Sequence, residues 1–108
     1  MHVLIITFKL AGLADADYRQ HAAALAPHFL HVPGVVSKTC LADEASNTYG
    51  GVYLFKDAAS CQKYLESEIV TDMQGNPALV DLSLRAFGTI EVATAITGGP
   101  LAGRLQPA

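Results

Sequence analysis

The chain has 108 residues, of which 51 % are hydrophobic and 16 % are charged. This length and composition predict one domain with its own core and exclude a disordered segment. The net charge of −3 argues against nucleic acid as a partner, because phosphate recognition requires clustered Lys and Arg. The sequence has no stretch of the length that a membrane-spanning helix needs, so no membrane partner is expected.

The first predicted element is a β-strand over residues 2–10, which is rich in β-branched side chains. Both of its faces are largely apolar at the two-residue period of a strand. One face consists of Leu4, Ile6, Phe8 and Leu10, and the other of Val3, Ile5, Thr7 and Lys9. A strand with two apolar faces has to be covered on both sides.

A helix is predicted to begin near Ala14 or Asp15, where an acidic side chain suits the positive end of the helix dipole. Its core-facing stripe recurs at spacings of three and four residues and consists of Tyr18, Ala22, Leu25, Phe29 and Val32. Pro27 lies inside this pattern and predicts a kink or a break, because proline removes one helical hydrogen bond. Pro33 and Gly34 end the element.

The chain after Gly34 is predicted to form three further strands and a second helix. Residues 35–42 and 51–56 are predicted to pair as a β-hairpin across a polar turn. Asp57 is a suitable N-cap for a second helix, whose stripe is Cys61, Leu65 and Ile69 and whose end is marked by residues 75–77. A fourth strand is predicted from Leu82 to about Ile96, with a bulge near Gly88. Residues 97–108 are rich in Gly and Pro and form a predicted tail or dimer arm.

The order β-α-β-β-α-β predicts an α+β, ferredoxin-like fold over residues 1–96, with a four-stranded antiparallel sheet and both main helices on one face. One helical layer leaves the other sheet face uncovered. We therefore expect a homodimer in which two sheets face each other as a dimeric α/β barrel. Cys40 and Cys61 are expected to be small buried side chains, and their low number without an export signal indicates a cytoplasmic protein.

Three segments carry a resemblance to a known family: residues 33–38 (PGVVSK), 47–57 (NTYGGVYLFKD) and 64–66 (YLE). Together with Pro27, Arg85 and Phe87 they resemble the YdhR-like monooxygenases over most of residues 3–90. The resemblance implies a dimeric α/β barrel and, through its similarity to cofactor-free oxygenases, oxidation of a small aromatic or quinol-type substrate without a cofactor. The family tends to have Trp where this chain has Ser37 and Cys40. The small residues indicate a wider pocket or a changed substrate, and the lack of Trp argues against haem degradation.

Cofactor-free oxygenation requires a base that deprotonates the substrate and a dry, largely apolar pocket. Histidine is the natural base near neutral pH. His28 is the candidate catalytic base, and His21 lies two helical turns before it as a candidate substrate contact. Both could equally be surface residues. His28 and His31 have a spacing that two metal ligands can use, but no third ligand is evident and no metal is expected.

A cation or a hydrogen-bond donor would stabilise the substrate anion. Arg85 and Tyr53 are the predicted catalytic partners of His28, and the predicted substrate contacts are Lys38, Phe8, Phe55 and Phe87. The alternative for Arg85 and Lys38 is an ion pair with Asp43, Glu44 or Glu91. The alternative for the aromatic residues is core packing.

Two other functions remain open from the sequence. An isomerase, lyase or cyclase would use the same base for proton transfer and would not need oxygen. A non-catalytic protein of the stress-response type would only hold a small hydrophobic molecule. The fold itself does not distinguish these possibilities.

Overall fold

The computed structural model describes residues 1–98, so most of the predicted tail over residues 97–108 lies outside the described part. Four strands are present, β1 (His2–Leu10), β2 (Val35–Asp43), β3 (Thr48–Phe55) and β4 (Leu79–Gly88). The helices are α1 (Asp15–Leu25), a 3₁₀ helix (Ala26–His31), α2 (Ala58–Leu65), α3 (Glu68–Gly75) and α4 (Glu91–Ile96). Within residues 1–98, no helix combines the length and the hydropathy that crossing a membrane would take.

The four strands form one antiparallel sheet in the order β2-β3-β1-β4. Strand β1 lies in the centre, where Ile5 pairs with Val52 of β3 and with Arg85 of β4. This order confirms the predicted ferredoxin-like α+β fold.

One face of the sheet carries the core. Leu4, Ile6, Phe8 and Leu10 of β1 are buried there, as the alternation of the sequence predicts. The helices add their own apolar side chains to this face, and the buried members are Cys61, Tyr64 and Val70. The opposite face, which we call the open face, carries apolar side chains of β1, β3 and β4. Val3, Ile5 and Val52 are half-buried there and Phe87 is exposed, whereas Leu54 on the same face is buried.

Local sequence signals set the helix ends. The α1 helix stops at Leu25 and continues as a 3₁₀ helix through Pro27, which confirms the predicted break. Asp57 caps α2 by accepting a hydrogen bond from the backbone N–H of Ser60 at 2.7 Å. The predicted second helix is in fact two, since α2 ends at Leu65 and α3 begins at Glu68.

The predicted fourth strand was placed too late in the chain. Strand β4 ends at Gly88, and the apolar residues that follow form α4 instead. The reason lies in the neighbouring strand, because Gly88 already pairs with His2 at the start of β1 and no partner extends further. The bulge is also elsewhere, near Asp81, whose φ is 53° and where the pairing with β1 shifts.

The two cysteines differ from each other. Cys61 is buried on α2, as predicted, and its burial raises the pKa of its thiol. Cys40 is exposed on β2, so the prediction of a buried thiol is wrong at this position. Cys40 pairs with Gly51 on the sheet face that carries Lys38 and Tyr53, in the edge strand β2, where the core cluster does not reach it.

Candidate functional site

A cavity of about 770 Å³ lies between the sheet and the helices α1 and α3. It exists because α1 has no buried residue and therefore does not pack tightly on the sheet. The volume falls within the range of small-molecule sites. All four strands, the helices α1 and α3, the 3₁₀ helix and the loop before α1 contribute to its lining. The apolar lining residues include Phe8, Leu13, Tyr18, Ala22, Leu25, Phe29, Ile69, Met73 and Leu79.

The buried end of the cavity is formed by Phe29, Lys38 and Tyr53. Lys38 and Tyr53 pair across β2 and β3, and this register places them side by side. The Lys38 Nζ atom lies 3.4 Å from the centroid of the Phe29 ring and 4.8 Å from that of Tyr53, so the aromatic faces attract its positive charge. Gly51 leaves room for this side chain, because a Cβ there would lie 3.0 Å from Lys38 Cε.

Lys38 has no ion-pair partner among residues 1–98, so the predicted alternative of a salt bridge is not found there. Burial lowers the pKa of its ammonium group, because the surrounding aromatic rings replace water. An unpaired cation in such a place favours a bound anion that would neutralise it.

Tyr53 is 2 % exposed and packs among Phe29, Phe55 and Tyr64. Its hydroxyl accepts a hydrogen bond from the Tyr64 hydroxyl at 3.3 Å. Burial is the main cause that raises the pKa of Tyr53, and the neighbouring Tyr64 raises it further. Tyr53 therefore stays protonated and can act as a hydrogen-bond donor.

The exposed rim of the cavity carries the remaining polar side chains. His21 and His28 both line it, as predicted, together with Asp17, Asp72 and Asn76. His31 is exposed and does not line the cavity. Among the described residues, no three His, Cys, Asp or Glu side chains form a group that could hold a metal ion.

The sheet separates two groups of predicted site residues. Arg85 pairs with Ile5 and Phe87 with Val3, which places both on the open face, away from His28 and Tyr53. Arg85 lies over the Phe87 ring at 5.5 Å from its centroid and has no ion pair within residues 1–98. Phe55 is fully buried in the core and does not line the cavity. The predicted set of His28, Arg85 and Tyr53 is therefore not brought together within one chain.

A separate contact holds α1 over the cavity. The Tyr49 hydroxyl donates to the Asp15 carboxylate at the start of α1, and Arg19 donates to the same carboxylate at 2.8 Å. The hydrogen bond raises the pKa of Tyr49 to about 12 and lowers that of Asp15. Tyr18 adds aromatic contacts to Tyr49 and Phe8, with centroids 5.0 and 5.7 Å apart.

The sequence analysis did not identify Tyr64 as a site residue. Tyr64 lies behind the buried end of the cavity and contacts Tyr53 there. Tyr64 lies three residues after Cys61 and so falls on the same face of α2, the face that packs on the sheet. That spacing was visible in the sequence. The contact between Tyr64 and Tyr53 could not be seen there, because it depends on how α2 packs on β3.

Comparison with solved structures identifies several proteins of the same fold. The cofactor-independent oxygenase SnoaB from Streptomyces nogalater is 21 % identical with a TM-score of 0.63, covering 82 % of this chain and 91 % of its own. The haem-degrader MhuD from Mycobacterium tuberculosis is 18 % identical with a TM-score of 0.66, over 83 % and 96 % of the two chains. NE2512 from Nitrosomonas europaea, of unknown function, is 18 % identical with a TM-score of 0.68, over 82 % and 88 %.

These identities are low and establish the fold alone. No curated protein matches the chain. The family described as "Putative mono-oxygenase ydhR" matches residues 3–100, which is most of the sequence and includes the whole cavity. The chain therefore belongs to this ydhR family.

Proposed function

We propose that the protein is a cytoplasmic, homodimeric, cofactor-independent monooxygenase that oxidises a small aromatic or quinol-type substrate in the cavity. The observation that carries the proposal is the half-buried Lys38 ammonium group, which lies among aromatic rings and has no ion pair among residues 1–98. A quinol or phenol must lose a proton before it can reduce oxygen, and a nearby cation stabilises the resulting anion. Lys38 takes the role that the sequence analysis gave to Arg85.

The cavity residues support a division of roles. His28 at the rim is the candidate base that accepts the substrate proton, and Lys38 and Tyr53 hold the anion at the buried end. Phe8, Phe29 and Leu79 supply the apolar surface that excludes water. His21 is a further substrate contact at the rim.

The reaction balances without an external reductant. A quinol consumes one O₂, of which one oxygen atom forms a new C–OH bond on the ring and the other leaves as water. The electrons that reduce O₂ come from the ring, which ends as a hydroxyquinone. SnoaB, which shares the fold, is a cofactor-independent oxygenase, and this supports the proposal by analogy.

The open face supports the proposed dimer. Val3, Ile5 and Val52 lie there half-buried, and Phe87 is 45 % exposed. A second copy of the sheet would bury these side chains, and it would place Arg85 at the interface.

The test is oxygen uptake by metal-free protein with a panel of quinols, naphthols and anthrones. We expect uptake of one O₂ per substrate and incorporation of one labelled oxygen atom into the product. Lys38→Met should abolish turnover, and Lys56→Met, at an exposed lysine outside the cavity, should not. His28→Ala should slow turnover at least tenfold, with His31→Ala as its matched control, since both residues lie in the 3₁₀ helix.

Two outcomes would refute the proposal. Conversion of a substrate under anaerobic conditions would identify a proton-transfer enzyme instead. Tight binding of the panel without any turnover would identify a ligand-binding protein.

A further inference from the structure

Two buried tyrosine hydroxyls meet behind the cavity. Tyr53 comes from β3 and is 2 % exposed, and Tyr64 comes from α2 and is 3 % exposed. Their oxygen atoms are 3.3 Å apart, and their ring centroids are 5.2 Å apart. Neither hydroxyl has another hydrogen-bond partner among residues 1–98. The pair thus holds two protons and only one hydrogen bond.

The surroundings decide which hydroxyl donates. Tyr53 lines the cavity, whereas Tyr64 does not. If Tyr53 donated to Tyr64, the Tyr64 proton would be buried without an acceptor, and such stranded donors are strongly disfavoured. If Tyr64 donates, its own proton is satisfied and the Tyr53 proton is free to point into the cavity. Burial raises the pKa of both hydroxyls, so both keep their protons over the physiological pH range.

Lys38 and Tyr53 therefore present hydrogen-bond donors to the buried end of the cavity, and the Cys40 thiol, two residues from Lys38 on the same sheet face, is only a weak acceptor. The Lys38 ammonium group has donors only, and the Tyr53 oxygen is already engaged by Tyr64. The carboxylates that line the cavity, Asp17 and Asp72, belong to α1 and α3 and are exposed at the rim. A ligand atom at the buried end must accept hydrogen bonds, and it is favoured further if it carries negative charge.

We propose that Tyr64 is a positioning residue that directs the Tyr53 proton to a ligand oxyanion beside Lys38, so that the cavity selects aromatic oxyanions over neutral aromatics of the same shape. Phenolates and aryl carboxylates share this chemistry. The inference deepens the proposed function and rests on it in one respect, that the cavity binds an aromatic ligand. It does not depend on oxygen chemistry.

The test uses two probes that differ by one hydroxyl group, 4-nitrophenol and nitrobenzene. The nitrophenolate absorbs visible light, so absorbance reports how much of the bound probe is ionised. We expect the protein to bind nitrophenolate at least tenfold more tightly than nitrobenzene. Tyr64→Phe keeps the aromatic ring and should lower this preference about three- to tenfold, which is the usual range for one hydrogen bond.

A double-mutant cycle separates positioning from packing. Because Tyr64 acts through Tyr53, Tyr64→Phe should have no further effect on the preference in a Tyr53→Phe background. Thr89→Val removes a hydroxyl that bonds to Met1 and Glu91 outside the cavity lining, and it should leave the preference unchanged. If Tyr64→Phe does not fold, Tyr53→Phe alone must lower the preference for nitrophenolate at least threefold.

Three results would overturn the inference. One is an equal loss of affinity for both probes in Tyr64→Phe, which would indicate a structural role. Another is an effect of Tyr64→Phe that persists without the Tyr53 hydroxyl. The third is that neither probe binds. A protein that shows the expected cycle but never consumes oxygen would retain this inference and refute the proposed oxygenase.

Discussion

The proposed dimer can be tested by a substitution on the open face. Val52→Lys would place a charge in the proposed interface between the two sheets. Val52 lies in β3 between Ile5 of β1 and Thr39 of β2, near the middle of the sheet. Its side chain is half-buried in the single chain, so a partner would remove at most about a third of its surface from water. Full burial of such a side chain contributes about 1.5–3 kcal/mol, so its share of the interface is about 0.5–1 kcal/mol per copy.

A two-fold dimer contains Val52 twice, and the substitution therefore removes about 1–2 kcal/mol of association energy, or about 5- to 30-fold in Kd. This is a lower bound, because two lysines would also be brought together without water or partners. Sedimentation equilibrium measures Kd, and circular dichroism checks that the monomer still folds. Leu30→Lys is the matched control, since Leu30 is an apolar residue that is 83 % exposed in the 3₁₀ helix, away from the open face.

The reasoning is refuted if the unmodified protein sediments as a monomer at micromolar concentration. It is equally refuted if Val52→Lys and Leu30→Lys give the same Kd. In either case the open face is covered by something other than a second copy, or it is left in water.

Three further predictions concern stability. Lys38→Met should raise the free energy of unfolding at neutral pH, because burial lowers the pKa of Lys38 from 10.5 and the charged form is disfavoured in the folded state. The gain in the free energy of unfolding should shrink as the pH rises from the lowered pKa of Lys38 in the folded state towards 10.5, its ordinary value. Urea titrations at several pH values measure this, and a gain that stays constant with pH would contradict the reasoning. Gly34→Ala should cost about 3 kcal/mol, because φ at Gly34 is +80° and a Cβ would lie 2.2 Å from Ser60 Oγ. A measured loss below about 1 kcal/mol would show that the loop moves aside easily. Val70→Ala should cost about 2 kcal/mol and lower Tm by about 10 °C, and an unchanged melting curve would contradict the close packing of this 1 % exposed side chain.

The fold could be predicted because its signals are local and agree with each other. Alternation in β1, the break at Pro27 and the cap at Asp57 each correspond to one feature of the structure. The end of β4 could not be predicted in the same way. Ile90 and Val92 are β-branched, and they would favour a strand if β1 extended far enough to pair with them.

The site was predicted less well, for two different reasons. Arg85 was assigned to the cavity although Leu84 beside it faces the core, and alternation alone places Arg85 on the other face. This error could have been avoided from the sequence. The contact between Tyr53 and Tyr64 could not, because it joins a strand to a helix through packing that no spacing in the sequence encodes.

Lys38 connects the stability of the protein to its proposed function. A half-buried ammonium group without a carboxylate partner among residues 1–98 lowers the stability of the fold, and methionine would fill the same space without a desolvation cost. The aromatic contacts with Phe29 and Tyr53 offset only part of that cost. Functional sites often depart from the most stable choice of residue, because a group that is already satisfied within the protein has little left to offer a ligand. Lys38→Met should therefore stabilise the fold and remove oxyanion binding. If Lys38 had a purely structural role, the same substitution would instead lower the free energy of unfolding.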